Sequence, residues 1–230
     1  MRAKRPPRLT VTPETIKAAA WGLIAEFGAP ALSLRAIARG LRITAPAIYN
    51  YFPRRDDLVT ALIIDAYTSF GDSQLAARDT LPAGDLYGRM MAIGVAYRQW
   101  ALAYPQRYQL IFGAPIPGYQ PPVEQILPAG ARSLQALVGT VEALRAGGRL
   151  RLSDLPPLTP GYQAQFRMWK KYAGQADAQS LAAAMLIWSR VHGLVSLEIA
   201  GNLPPFGPQG DGLYRYELEA TGRQLIKEQP

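Results

Sequence analysis

Residues 33–58 read SLRAIARGLRITAPAIYNYFPRRDDL. Ser33 stands where it can cap a helix whose Leu34, Ile37, Ala38 and Leu41 recur at i, i+3, i+4 and i+7, one helical face. Thr44 caps a second, shorter helix, with Pro46 tolerated in its first turn. An aromatic cluster, Tyr49, Tyr51 and Phe52, closes that helix; Pro53 and two arginines, Arg54 and Arg55, follow at once. Two short helices on a tight turn form the layout of a helix-turn-helix, whose second helix enters the major groove of DNA.

The preceding segment completes a small core. Thr12 caps a helix with Pro13 at its first position and Glu14 favouring the dipole. Ile16, Ala20, Leu23, Ile24 and Phe27 share one face, and Gly28 and Pro30 end the helix. Three helices around one core predict a DNA-binding head over residues 1–55, with the helix-turn-helix at about 33–52 and a basic arm at 1–11.

The charge pattern agrees with such a head. The chain of 230 residues carries a net charge of +8. Residues 1–60 hold ten Lys or Arg against four acids, so most of the surplus lies there. A basic head on a near-neutral body suits a polyanion, although surface cations also serve solubility. The arm residues Arg2, Lys4, Arg5 and Arg8 show no helical pattern. They form either a solvated tail or an arm along the DNA backbone or in a minor groove.

Individual residues suggest roles. First-turn side chains of a recognition helix lie near base edges. Here those are Thr44, Ala45 and Ala47, one hydroxyl and two methyls, none able to make a bidentate contact with a base. Base reading therefore falls to Arg42 in the turn, to Asn50, or to DNA shape. Tyr49, Tyr51 and Arg55 are positioned for phosphates, and Ser33 lies at the start of the helix that crosses the backbone.

Residues 32–58 resemble the TetR family of bacterial one-component transcriptional regulators. The matching residues are Ile37, Ala38, Leu41, Ile43, Pro46, Ile48, Tyr49, Phe52, Arg55 and Leu58. The family usually has Gly in the turn where this chain has Arg42, which predicts a left-handed conformation there. Arg55 stands where the family more often has Lys. The segment WSRVHGLVSLEIAG, with Trp188, His192 and Gly193, resembles the C-terminal domain type with a Trp-x-x-x-His-Gly (WHG) signature. YPQRYQLIFGAP at 104–115 resembles a Pro-containing short helix of the same type. The resemblance implies a helical ligand-sensing and dimerising domain.

Residues 56–230 predict that body. A long helix starts near Arg54, with Leu58, Leu62 and Tyr67 among its apolar positions. Further helices are expected at about 83–103, 105–112, 122–146, 159–174, 177–200 and 212–227. Pro- and Gly-rich stretches between them read as loops. No alternating run long enough for a sheet occurs, so the fold is all-α. Leu181, Met185, Trp188, His192, Val195 and Ile199 form one stripe, and Ile187, Val191 and Leu194 a second. A helix apolar on most sides needs burial by its own domain and by a partner. The resemblance implies a homodimer through the helices at about 177–200 and 212–227, with Leu218 and Leu225 inward and Gly193 permitting close approach.

Aromatic residues of the body either line a ligand pocket or fill the core. Tyr97, Trp100, Tyr104, Tyr108 and Phe112 precede the loop at 113–122; Phe166, Trp169 and Trp188 follow it. His192 is the sole histidine, an interior residue or a ligand contact.

Catalysis is not expected. Without cysteine there is no thiolate site or disulfide, and one histidine cannot build a His-rich metal centre. No phosphate-cradling glycine loop occurs, and no cofactor or metal is expected. The basic N-terminus lacks an apolar segment after it, and the apolar run at 181–199 is studded with polar residues. The expectation is a cytoplasmic, ligand-responsive regulator, a repressor on a palindromic double-stranded operator, with a small-molecule effector and no membrane partner. The alternatives are a regulator answering to a protein partner and a non-specific architectural DNA binder.

Overall fold

The computed structural model describes residues 11–203 and 210–227, without the side chains of residues 168–173. The basic-arm arginines and lysine thus lie outside the described residues. Among those described, the chain forms helices and short 3-10 turns, with one isolated antiparallel bridge between Leu150 and Ile226. It divides into two compact units: residues 1–66 with 106–122, and residues 67–105 with 123–230.

The first unit begins with α1 (Pro13–Phe27). Its N-cap Thr12 and Thr15 exchange side-chain-to-backbone hydrogen bonds, a reciprocal cap. Ile16, Ala20 and Ile24 are buried. Phe27, read from the sequence as part of that face, is 60% exposed. It has the right azimuth but lies a turn beyond Ile24, past the end of the core. Gly28, at φ 77°, turns the chain out of the helix.

Helix α2 (Leu34–Leu41) starts at Ser33, whose hydroxyl accepts from the Ala36 amide at 3.4 Å. It ends at Arg42 in the left-handed region, φ 54° and ψ 41°, while the Ile43 amide donates to the Ala38 carbonyl. Helix α3 (Ala45–Tyr49) follows; Thr44 occupies its cap position, but its hydroxyl makes no capping bond. Ile48 is fully buried and Phe52 nearly so.

Helix α4 (Arg55–Asp79) buries Leu58, Val59, Leu62, Ile63 and Ala66 in the first unit, then Phe70 and Gln74 in the second. The compact units divide inside α4, between residues 66 and 67, whereas the sequence reading placed the head at 1–55 and the body at 56–230. The segment 106–122 also joins the first unit. It contains most of α6 (Pro105–Phe112), and it buries Tyr108 and Ile116. The Tyr119 and Thr60 hydroxyls share a 2.8 Å hydrogen bond, and Arg107 lies over the Trp21 ring at 5.2 Å.

In the second unit, α5 (Leu86–Ala103), α7 (Val123–Ala146), α8 (Pro160–Ala173), α9 (Ala178–Ile199) and α10 (Asp211–Leu225) pack around one core. Asp85, Thr159 and Asp177 cap α5, α8 and α9. A β-carbon on Gly71 of α4 would stand 2.9 Å from the Ser133 Cα on α7, so only glycine permits this approach. Helix α9 is long and apolar enough to cross a membrane by length and composition. It packs instead on α5, α7, α8 and α10, with Leu181, Ala184, Ile187, Val191 and Val195 buried. Met185, Trp188, His192 and Ile199, read as one stripe with Leu181 and Val195, are half-buried.

Charged side chains tie helix ends together. Arg98 donates to both oxygens of Glu198, at 2.7 and 2.6 Å, and to Asp211 at 3.0 Å, joining α5 to the end of α9 and the start of α10. Glu142 accepts from Arg145 and from the Asp177 amide, holding α7 against the start of α9. Mainly through Arg145, the Glu142 carboxyl is lowered from its ordinary 4.5 to about 2. A depressed carboxylate stabilises the fold above its unfolded pKa, and that contribution is lost as pH falls through the folded value. Thermal melts should therefore find Glu142→Gln less stable than the parent at neutral pH. The gap should close between pH 4.5 and about 2. A gap that is independent of pH would contradict this.

Candidate nucleic-acid interface

Helix α3 has a buried side and an open one. Ile48 points inward, whereas Thr44, Pro46, Tyr49 and Asn50 are exposed and Ala45 and Ala47 half-buried. The adjoining segments carry exposed cations: Arg35 and Arg39 on α2, and Arg42 on the turn into α3. Such a surface offers guanidinium groups for phosphates and hydroxyl, amide and methyl groups for base edges. Ser33 is half-buried at its cap.

Two residues read as phosphate contacts already have partners within the unit. The Tyr51 hydroxyl donates to the Val11 carbonyl at 2.9 Å, fixing the chain just ahead of α1. Arg55 donates from Nε to the Leu32 carbonyl at 3.0 Å and from Nη2 to the Pro30 carbonyl at 3.3 Å. It thereby satisfies backbone acceptors in the α1–α2 connection, a task no sequence pattern signalled. The neighbouring Arg54 is held by Asp57 through three hydrogen bonds, and the Asp57 carboxyl is depressed chiefly by them. Tyr49, 40% exposed, presents its ring at the surface.

The second unit encloses a cavity of about 20 Å³ between α4, α5, α7, α9 and α10. That is room for about one water. Its lining includes Met90, Met91, Tyr97, Trp188 and Leu218, with Gln74 and Thr221 as polar members and no charged side chain. Gln74, missed in the sequence, is buried and donates to the Phe70 and Ser133 carbonyls. His192 shares a 2.9 Å hydrogen bond with the Tyr97 hydroxyl and stacks on Trp188 with centroids 4.6 Å apart. Burial lowers its pKa, favouring the neutral imidazole.

Only part of the aromatic set read as a ligand site comes together. Tyr97, Trp188 and His192 adjoin one another. Trp100 donates to Ser69 and packs on Phe70 beside the exposed Tyr104. Phe166 lies in the core next to Tyr162, 4.8 Å between centroids. Tyr108 and Phe112 pack together in the first unit, because 106–122 belongs to it. The Trp169 side chain lies outside the described residues. A second hollow, about 420 Å³, opens between Leu152, Ser153, residues 155–158, Tyr162 and Gln179, Ala182 and Leu186 of α9. Its loop has no periodicity that could have announced it.

Three short helices exposing one recognition-like helix, joined to an all-helical body, define a helix-turn-helix regulator. The sequence matches the bacterial regulatory proteins of the tetR family over residues 16–62 and the tetracyclin repressor-like C-terminal domain over residues 90–221. It is 34% identical over 176 residues to the HTH-type transcriptional regulators Mb1846 of Mycobacterium bovis and Rv1816 of Mycobacterium tuberculosis, covering 76% of this chain and 75% of each relative. The solved structure of SCO4313 is 38% identical, with a TM-score of 0.73 over 91% of this chain and 94% of that one. The chain belongs to the TetR family. It is a DNA-binding transcriptional regulator of helix-turn-helix type, not an enzyme.

The geometry separates two substitutions that the sequence placed together. Tyr49→Phe should weaken binding to every duplex while leaving the melting temperature unchanged. Arg55→Ala should cost about 0.5–1.5 kcal/mol of stability by removing its hydrogen bonds to the Leu32 and Pro30 carbonyls, with the salt slope of DNA binding preserved. Fluorescence anisotropy across a salt series, paired with thermal melts, checks both. A stable Arg55→Ala protein with a flattened slope would make Arg55 a phosphate contact instead.

Proposed function

We propose that this protein is a cytoplasmic, homodimeric repressor that holds a palindromic operator until a small-molecule effector enters its body. The exposed face of α3, with Arg35, Arg39 and Arg42 on the adjoining segments, carries the DNA half of this reading. A dimer presents two such faces to successive major grooves, about 34–36 Å apart. Ser33, Thr44, Ala45, Ala47, Tyr49 and Asn50 belong to the interface in this reading, and Tyr51 and Arg55 support it from behind.

Dimerisation through α9 and α10 is supported by what their outer faces lack. Leu197 and Tyr216 are exposed, and a β-carbon on Gly193 would meet nothing within 4 Å in this chain. A second copy would cover these faces and use the gap at Gly193.

For the effector, the lining beside Tyr97, Trp188 and His192 selects a neutral, mainly apolar molecule. An ion buried there would lack a countercharge, at a cost of several kcal/mol. Gln74, Tyr97 and Thr221 can give it a few hydrogen bonds. The cavity is too small for it as it stands, so Met90 and Met91, flexible side chains, must move aside. Opening the cavity displaces α4, which carries both Gln74 and, further upstream, the Leu58 and Leu62 of the head core. The effector then favours the state with lower DNA affinity.

Selection from a randomised double-stranded pool should return a palindrome. A salt-sensitive complex without any motif would favour an architectural binder. Sedimentation velocity should show a dimer for the parent and a folded monomer for Gly193→Trp. A Gly193→Trp dimer would rule out this interface. Trp188→Ala should still bind the selected operator but no longer release it with effectors found by screening neutral apolar compounds. Full release by that variant would remove the cavity from the account.

A further inference from the structure

Arg42 combines a strained backbone with an idle side chain. Among the described residues it is the one non-glycine residue with positive φ. The conformation is imposed by the turn: the Arg42 amide donates to the Ala38 and Arg39 carbonyls, and the Ile43 amide to Ala38. Any residue at this position must adopt it. A side chain with a β-carbon is disfavoured there, glycine fits freely, and asparagine adapts by local hydrogen bonding. The strain therefore comes from having arginine at the position. Yet Arg42 is exposed, and among the described residues its guanidinium makes no hydrogen bond or ion pair. A strained residue whose side chain has no partner in the fold points to a function of that side chain.

The other described cations of the head narrow that function. Arg54 is paired with Asp57, Arg55 with the carbonyls of Leu32 and Pro30, and Lys17 with Asp65 at 2.7 Å. Arg35 and Arg39 stand on α2, which in this motif crosses the DNA backbone. Arg42 instead lies two residues ahead of Thr44, on the turn that leads into α3. The first turn of α3 supplies only a hydroxyl and methyl groups, so it has no bidentate partner for a base. We propose that Arg42 is a specificity-determining residue, whose guanidinium reads a guanine through O6 and N7 at one position of each half-site. This rests on the reading of α3 as the recognition helix. It adds that sequence discrimination comes from a residue outside that helix, at the expense of the stability of the head.

The test uses the full chain, with Arg42→Asn and Arg42→Lys beside the parent. Asparagine tolerates the backbone and removes the fork; lysine keeps the charge and loses the planar fork. Arg42→Asn should melt higher than the parent by about 1–4 °C. Its affinity for the selected operator should drop by about 5- to 150-fold, with little change on a scrambled duplex. In repeated pool selections, the preference for guanine should vanish at one symmetric position and remain elsewhere. Arg42→Lys should keep the salt slope and weaken that same preference. Uniform weakening on all duplexes, with full rescue by lysine, would make Arg42 a phosphate contact and overturn the proposal. Unchanged discrimination by Arg42→Asn would overturn it equally. A parent that selects no sequence would overturn the reading of α3, and this proposal with it.

Discussion

A helix of five residues does not hold its shape in water, because nucleation costs more than one turn of hydrogen bonds returns. The orientation of α3 therefore depends on the enclosure of Ile48, with Phe52 just beyond it. Helix α3 packs on α2, and α2 on α1. Every feature of the open face follows from that anchoring. With Ile48 fully buried, the helical repeat turns Pro46, Tyr49 and Asn50 away from the core, and Thr44 is exposed at the cap that opens the helix. The polar surface is therefore a by-product of one apolar contact, and its precision is that of the core behind it.

The arginines of the head divide between fold and surface by their partners. Arg54 is paired with Asp57 at the surface, and Arg55 is tied to the Leu32 and Pro30 carbonyls of the α1–α2 connection. Those on α2 and the turn keep their hydration until a polyanion displaces it. Net charge alone does not distinguish the two groups, which is why the surplus of the first sixty residues overstates the cations available to DNA. Along the body, ion pairs have a different task. Arg98 and Glu142 each tie helix ends together, so the starts of α9 and α10 are held to the rest of the bundle.

Much of the fold was legible because its signals are local. Thr12, Ser33 and Pro13 mark helix starts through hydrogen bonds and ring geometry within a turn of their own position, and the periodicity of Ile16, Ala20 and Ile24 marks the face. The left-handed Arg42 was foreseeable only from the family resemblance, in which Gly usually stands at this position. Phe27 misled because periodicity gives azimuth but not where a core ends. The start of α5 was read a few residues early because the cap, Asp85, follows a loop of similar polarity. The membership of 106–122 in the first unit was not visible, since it depends on Tyr119 meeting Thr60 and Arg107 meeting Trp21, contacts distant in sequence. The same limit applies to the site. Tyr51 and Arg55 carry the right groups for phosphates, but their acceptors, Val11, Leu32 and Pro30, are backbone atoms that no composition announces. Aromatic counting brought Tyr97, Trp188 and His192 together with residues that serve other cores, and it overlooked Gln74.

The open face of α3 is the surface proposed to meet DNA. Hydrogen–deuterium exchange of the full chain, with and without a saturating duplex at low salt, reads this most directly. Slowed exchange concentrated in residues 33–51, with little change across α7 and α8, is the result the account requires. Slowed exchange in α7 and α8, with 33–51 exchanging as in the free protein, would contradict it.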